Sequence, residues 1–128
     1  MKKIFTLICA TLMGAVAFAQ DAYNPEEHTC VMRGTSNFCT YNWADDENPG
    51  DAMTYDAAKG VWFVTKKAAV VNQTVELKVV YDDKWYGVNG GDGNLQFSVS
   101  AECDVTVSWN PETMELKAEG ANVGDPVT

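Results

Sequence analysis

Thr74-Val75-Glu76-Leu77-Lys78-Val79-Val80-Tyr81 is the stretch that decides the fold. Val75, Leu77, Val79 and Tyr81 alternate with Glu76, Lys78 and Val80, the two-residue period of a strand with one dry face and one wet face. Working outward, Leu95-Gln96-Phe97-Ser98-Val99 repeats the alternation. On the other side, Val61-Trp62-Phe63-Val64-Thr65 is rich in β-branched and aromatic residues and follows a turn at Asp56-Ala57-Ala58-Lys59-Gly60. Val105-Thr106-Val107-Ser108-Trp109 and Met114-Glu115-Leu116-Lys117-Ala118 flank Asn110-Pro111-Glu112-Thr113, which is hairpin chemistry. Thr29 to Gly34 reads as a first strand. Ser36 to Asp51 is polar and turn-rich and reads as a long loop. About seven short strands and no helical period predict an all-β chain folded as an immunoglobulin-like antiparallel β-sandwich. Trp62, Leu77, Val79, Phe97, Val107 and Leu116 are its expected core.

The module is expected over residues 28–119. Residues 20–27 read as a flexible lead-in and 120–128 as a loose tail. Residues 1–19 read as a secretory signal peptide: Lys2 and Lys3, an apolar run from Ile4 to Phe18, then Ala17-Phe18-Ala19 before a cut at Gln20. The apolar run is short for a membrane span, and Ile8 before Cys9 is not a lipidation signal, so a secreted or periplasmic protein without membrane insertion is expected. Losing Lys2 and Lys3 takes the net charge from −9 to −11. So acidic a surface repels nucleic acid and anionic membrane. Three cysteines remain after the cut, Cys30, Cys39 and Cys103, and in an oxidising compartment they predict one disulfide and one leftover thiol. The three pairings stay open.

No catalytic set assembles. His28 is the sole histidine, so a serine or cysteine nucleophile has one candidate base at most. Asp45-Asp46-Glu47 and Asp82-Asp83 lie in turn-like sequence, where solvated charge is the ordinary state. Asn89 to Asn94 offers oxygen atoms, but without calcium-loop spacing it reads as a plain turn. Neither a metal nor a cofactor is expected. The tryptophans say more. Trp62 and Trp109 sit in apolar strands and read as core. Trp43 and Trp85 sit in polar, turn-rich surroundings. Sugars present apolar C–H faces that stack on such exposed rings while their hydroxyls seek polar partners.

Val31-Met32-Arg33-Gly34 with Asn42-Trp43, Met53-Thr54-Tyr55-Asp56 with Lys59-Gly60-Val61-Trp62, and Leu77-Lys78-Val79 with Asp83-Lys84-Trp85-Tyr86-Gly87 occur in a suggestive order. Gly91 to Val99 and Val105 to Leu116 follow. Together they resemble the starch-binding-type sandwich modules of bacterial pullulanases and of the outer-membrane starch-binding proteins of the Bacteroidetes. The resemblance implies a non-catalytic module for starch-type α-1,4-glucans, exported from a Gram-negative bacterium and associated with a starch-degrading enzyme or envelope complex. It implies a glucan stacked on Trp43 and Trp85, Lys78 bonding its hydroxyls, and Tyr86 extending the platform. The competing expectation is an exported protein-interaction or structural sandwich with no glycan ligand.

Overall fold

A computed structural model describes residues 22–127. The expected signal peptide and its cleavage point lie outside the described residues. The described residues form ten strands and two short 3₁₀ turns: β1 Cys30–Gly34, β2 Asp51–Ala52, β3 Thr54–Asp56, β4 Val61–Ala68, β5 Val75–Tyr81, β6 Lys84–Tyr86, β7 Leu95–Val99, β8 Cys103–Asn110, β9 Glu115–Glu119 and β10 Val123–Gly124. They make an all-β sandwich of two antiparallel sheets. The front sheet has six strands, ordered β10-β7-β5-β1-β2 with β6 beside β5, and the back sheet runs β3-β4-β8-β9. The count exceeds the seven expected because β2, β3, β6 and β10 are only two or three residues long. Segments so short leave little periodicity to read.

β5, the stretch with the clearest alternation, is the hub of the front sheet. One edge pairs with β1, with Met32 opposite Val79 and Arg33 opposite Lys78. The other edge is shared. Val75–Leu77 pair with β7, and Val79–Tyr81 pair with β6. Val75, Leu77 and Val79 face inward and are buried with Phe97, Val107, Leu116, Trp62 and Trp109. All six residues expected in the core are therefore in it. Aromatic rings fill the end where β5 finishes: Tyr55, Trp62, Tyr81, Tyr86 and Trp109 form a connected cluster in which neighbouring ring centres lie 5.1–6.5 Å apart. Phe38 meets Phe97 edge-on at 5.5 Å near the end where β5 begins.

Both termini of the module are better anchored than their polar sequence suggests. In the stretch expected as a flexible lead-in, Asn24 caps a single 3₁₀ turn at Pro25–Glu27. The Tyr23 ring stacks on His28 at 4.7 Å, and its hydroxyl accepts from Trp62 Nε1 at 2.9 Å and lies 2.7 Å from the Tyr81 hydroxyl. That bond satisfies a buried indole N–H that would otherwise be orphaned. In the tail, Val123 and Gly124 pair with Val99 and Ser98.

The expected disulfide is corrected. Cys30, Cys39 and Cys103 are all free thiols. Cys30 opens β1, Cys39 lies in the loop beyond the other end of that strand, and Cys103 opens β8 in the back sheet. The strand period and the sandwich keep all three apart, and a disulfide tolerates only a short Cα separation. Burial, with a smaller push from Asp82, drives the Cys30 thiol up to about 12, and Cys39 is pushed up to about 12 by burial and by Asp51. Both stay protonated and inert.

Candidate functional site

The turn between β5 and β6 determines where the aromatic side chains point. Asp82 (φ 50°) and Asp83 (φ 66°) are both left-handed, as a two-residue type I′ hairpin turn requires. Asp82 is held there by the Thr29 amide at 2.9 Å and by His28 Nδ1 at 2.6 Å. The turn sets Val80 opposite Trp85 and Val79 opposite Tyr86. Directly opposed residues share a face and neighbours take opposite faces. Trp85 therefore lies on the outer face of the front sheet, and it is 46% exposed. Tyr86 lies on the inner face, stacked on Trp109 at 5.1 Å. The structure thus separates Tyr86 from the platform it was expected to extend.

Trp43 reaches the same outer face from the loop after β1. That loop is pinned at its start by Phe38 in the core. Farther along, Asn42 bridges Gly34, and the Trp43 amide donates to the Gly34 carbonyl at 2.7 Å. Trp43 takes a left-handed backbone (φ 51°). For a bulky residue that conformation is uncommon and costs about 1 kcal/mol or more. Its indole lies 6.5 Å from that of Trp85, the planes tilted by 42°. Two rings from segments some forty residues apart thus form one angled surface.

Lys78 stands half-buried on the same face, opposite Arg33 and two residues before Val80. That is about 7 Å along β5 from the position facing Trp85. Beyond Lys78, Glu76 accepts from Asn94 at 3.0 Å and Gln96 at 3.1 Å. These two amides hold its carboxyl below the ordinary carboxylate value. The face is therefore a pair of angled indoles followed by an ammonium and an amide-braced carboxylate. Arg33, which was not among the residues singled out from the sequence, is 6% exposed and sits under this surface with its guanidinium 5.3 Å from the Trp85 ring centre. The signal was available: Arg33 alternates with Met32 and so faces outward on a strand.

Two other features of the molecule compare poorly as sites. A groove of about 600 Å³ crosses the outer face of the back sheet, lined by Phe63, Thr65, Thr106, Ser108 and Lys117 among others. Much of its polar complement is already engaged: Thr65 bonds Thr106 at 2.7 Å, and Asn110 caps the Glu112 and Thr113 amides. The Asp82–His28–Tyr81 cluster has the residue types of a proton relay without its geometry. Asp82 and Tyr81 both meet Nδ1, at 2.6 and 3.2 Å, whereas a relay uses the two ring nitrogens separately. Among the described residues no three of His, Cys, Asp or Glu are grouped so that they could hold a metal ion, and no helix is long and apolar enough to cross a membrane.

No protein-family model matches the chain, and no curated protein matches it.

Proposed function

We propose that the sandwich is a non-catalytic carbohydrate-binding module for starch-type α-1,4-glucans. Trp43 and Trp85 are its stacking platform and Lys78 its hydroxyl-bonding cation. The observation that carries this reading is the pair itself: an indole 46% exposed, 6.5 Å from a second and tilted by 42°. A helical glucan turn is curved, and two angled rings follow a curve that one flat ring does not. The left-handed backbone at Trp43 adds support, because strain of this kind persists where the side chain's placement matters. Tyr86 has no part in the site and belongs to the core.

The surface is shallow, so a single module binds in the range around millimolar. Useful retention then comes from tethering near other binders, in a starch-degrading enzyme or envelope assembly on the outside of a Gram-negative cell. The module makes and breaks no bond.

Affinity electrophoresis in gels with and without amylopectin, followed by calorimetry with maltoheptaose, tests the proposal. Retardation by amylopectin, lost in Trp85→Ala while the fold persists, is the expected result. A wild-type protein that ignores every α-glucan tested would replace the glucan reading with that of an exported interaction module.

A further inference from the structure

We propose that Arg33 is a positioning residue for the ring pair: it sets the angle between Trp43 and Trp85 without touching the ligand. The proposal rests on the glucan reading for its binding consequence and on geometry alone for its structural one. Arg33 leaves the outer face of β1 and is buried to 6% exposure, unusual for a guanidinium unless it is well partnered. It has three attachments. Nε donates to the Pro49 carbonyl at 2.8 Å, Nη2 lies 3.5 Å from Asp46, and the guanidinium carbon lies over the Trp85 ring, 5.3 Å from its centre. Pro49 and Asp46 belong to the loop that carries Trp43, and Trp85 belongs to the β5–β6 hairpin. One side chain therefore ties together the two segments that bring the rings.

The loop is closed down onto Arg33 at Gly50. There φ is +106°, and a Cβ would meet the Met32 carbonyl at 2.6 Å and the Arg33 side chain at 3.2 Å. Arginine suits this position because a planar cation can stack on an indole and donate sideways at once. Lysine would keep the charge but lose the flat face and the Nε donor. With the guanidinium carbon over one face of Trp85, that face is partly occupied by the protein's own cation.

Two indoles this close and tilted couple their transitions, so far-ultraviolet circular dichroism of the purified full chain reports their mutual angle. Trp43→Phe supplies the baseline without the pair. Val75→Ala, which opens the buried core away from the rings, supplies the signature of a purely structural loss. In Arg33→Met the exciton couplet should fall toward the Trp43→Phe baseline, and maltoheptaose affinity should weaken about tenfold. Arg33→Lys should fall between Arg33→Met and wild type in both readouts, and it keeps the test open where Arg33→Met does not fold. Val75→Ala should lower the melting temperature and leave the couplet alone. A couplet of wild-type amplitude in the folded Arg33 variants overturns the proposal. So does a lost couplet with unchanged affinity in a protein whose wild type binds. If the wild type binds no maltoheptaose, the glucan reading fails, and the couplet still decides whether Arg33 positions the rings.

Discussion

Four tryptophans divide into two pairs that experience opposite environments. Trp62 and Trp109 stand opposite each other on β4 and β8, point into the sandwich, and are 6% and 0% exposed. Trp43 and Trp85 come from a loop and a hairpin and meet on the outer face of the other sheet. The inner pair is held by a long, regular ladder. The outer pair is held by a left-handed backbone, a type I′ turn and one buried arginine. The same side chain therefore serves stability where the strand pattern buries it and is available for recognition where turn chemistry lifts it out.

The strongest way to break this contrast is to truncate one ring from each pair. Trp109→Ala should cost about 3–5 kcal/mol and leave the domain largely unfolded at room temperature, read by urea or thermal denaturation. Trp85→Ala should stay folded and lose about 1–3 kcal/mol of glucan binding, taking the scale of base–aromatic stacking by analogy. Equal losses of stability in the two variants would erase the distinction. Trp43→Gly sharpens it further. Removing the ring should abolish the proposed glucan binding, and relieving the positive φ should offset about 1 kcal/mol of the lost packing, so the melting temperature should barely move.

Within the inner pair a smaller difference is expected. Trp62 donates to Tyr23, whereas Trp109 Nε1 is buried without a partner among the described residues. An unpaired buried donor costs about 1–3 kcal/mol. Trp109→Phe removes that donor, while Trp62→Phe removes one of the two hydrogen bonds of the Tyr23 hydroxyl, which keeps only Tyr81, and loosens the N-terminal strap. Denaturation midpoints should therefore favour Trp109→Phe, although its side chain is the more deeply buried of the two.

The smallest effect concerns pH. Burial by itself would raise the Asp82 carboxyl, but the His28 hydrogen bond, the Thr29 amide and the His28 charge outweigh it and hold it below 3.8. At Asp51 burial again pushes upward, and bonds from Thr40 and Lys66 again prevail. Carboxyls lowered in the folded state add stability above their unfolded values and lose it as pH falls through the folded ones. Stability should accordingly decline below about pH 4. Asp82→Asn should flatten part of that decline by freeing the strap. Thermal melts across this range at fixed ionic strength check it, and an unchanged acid slope would separate the His28 cluster from folding.

The core was legible because its signal is local. Alternation in β5 and β7 predicts a buried side for every residue, and Leu77, Val79 and Phe97 obey it. Trp43 and Trp85 stood out for the same kind of reason, as large rings in polar surroundings. Tyr86 did not separate from Trp85, because the short β6 carries too little alternation to assign faces, and its register depends on the type of turn that Asp82-Asp83 adopts. The free cysteines show the converse limit. An odd count in a chain read as exported predicts a bridge, but pairing depends on where two strands and a loop carry their Cβ atoms.

By itself, the sequence determined the class of fold, the inward face of its main strands and which aromatic residues lacked a core, since each follows from the period of a strand and the cost of burying polar groups. Tertiary structure alone decided that Trp43 and Trp85 meet at 6.5 Å, that Arg33 lies beneath them and that Tyr86 turns inward. Those relations depend on distances between segments some forty residues apart. Such distances are set by how the sheets, the loop and the hairpin pack together, and no local pattern in the chain encodes them.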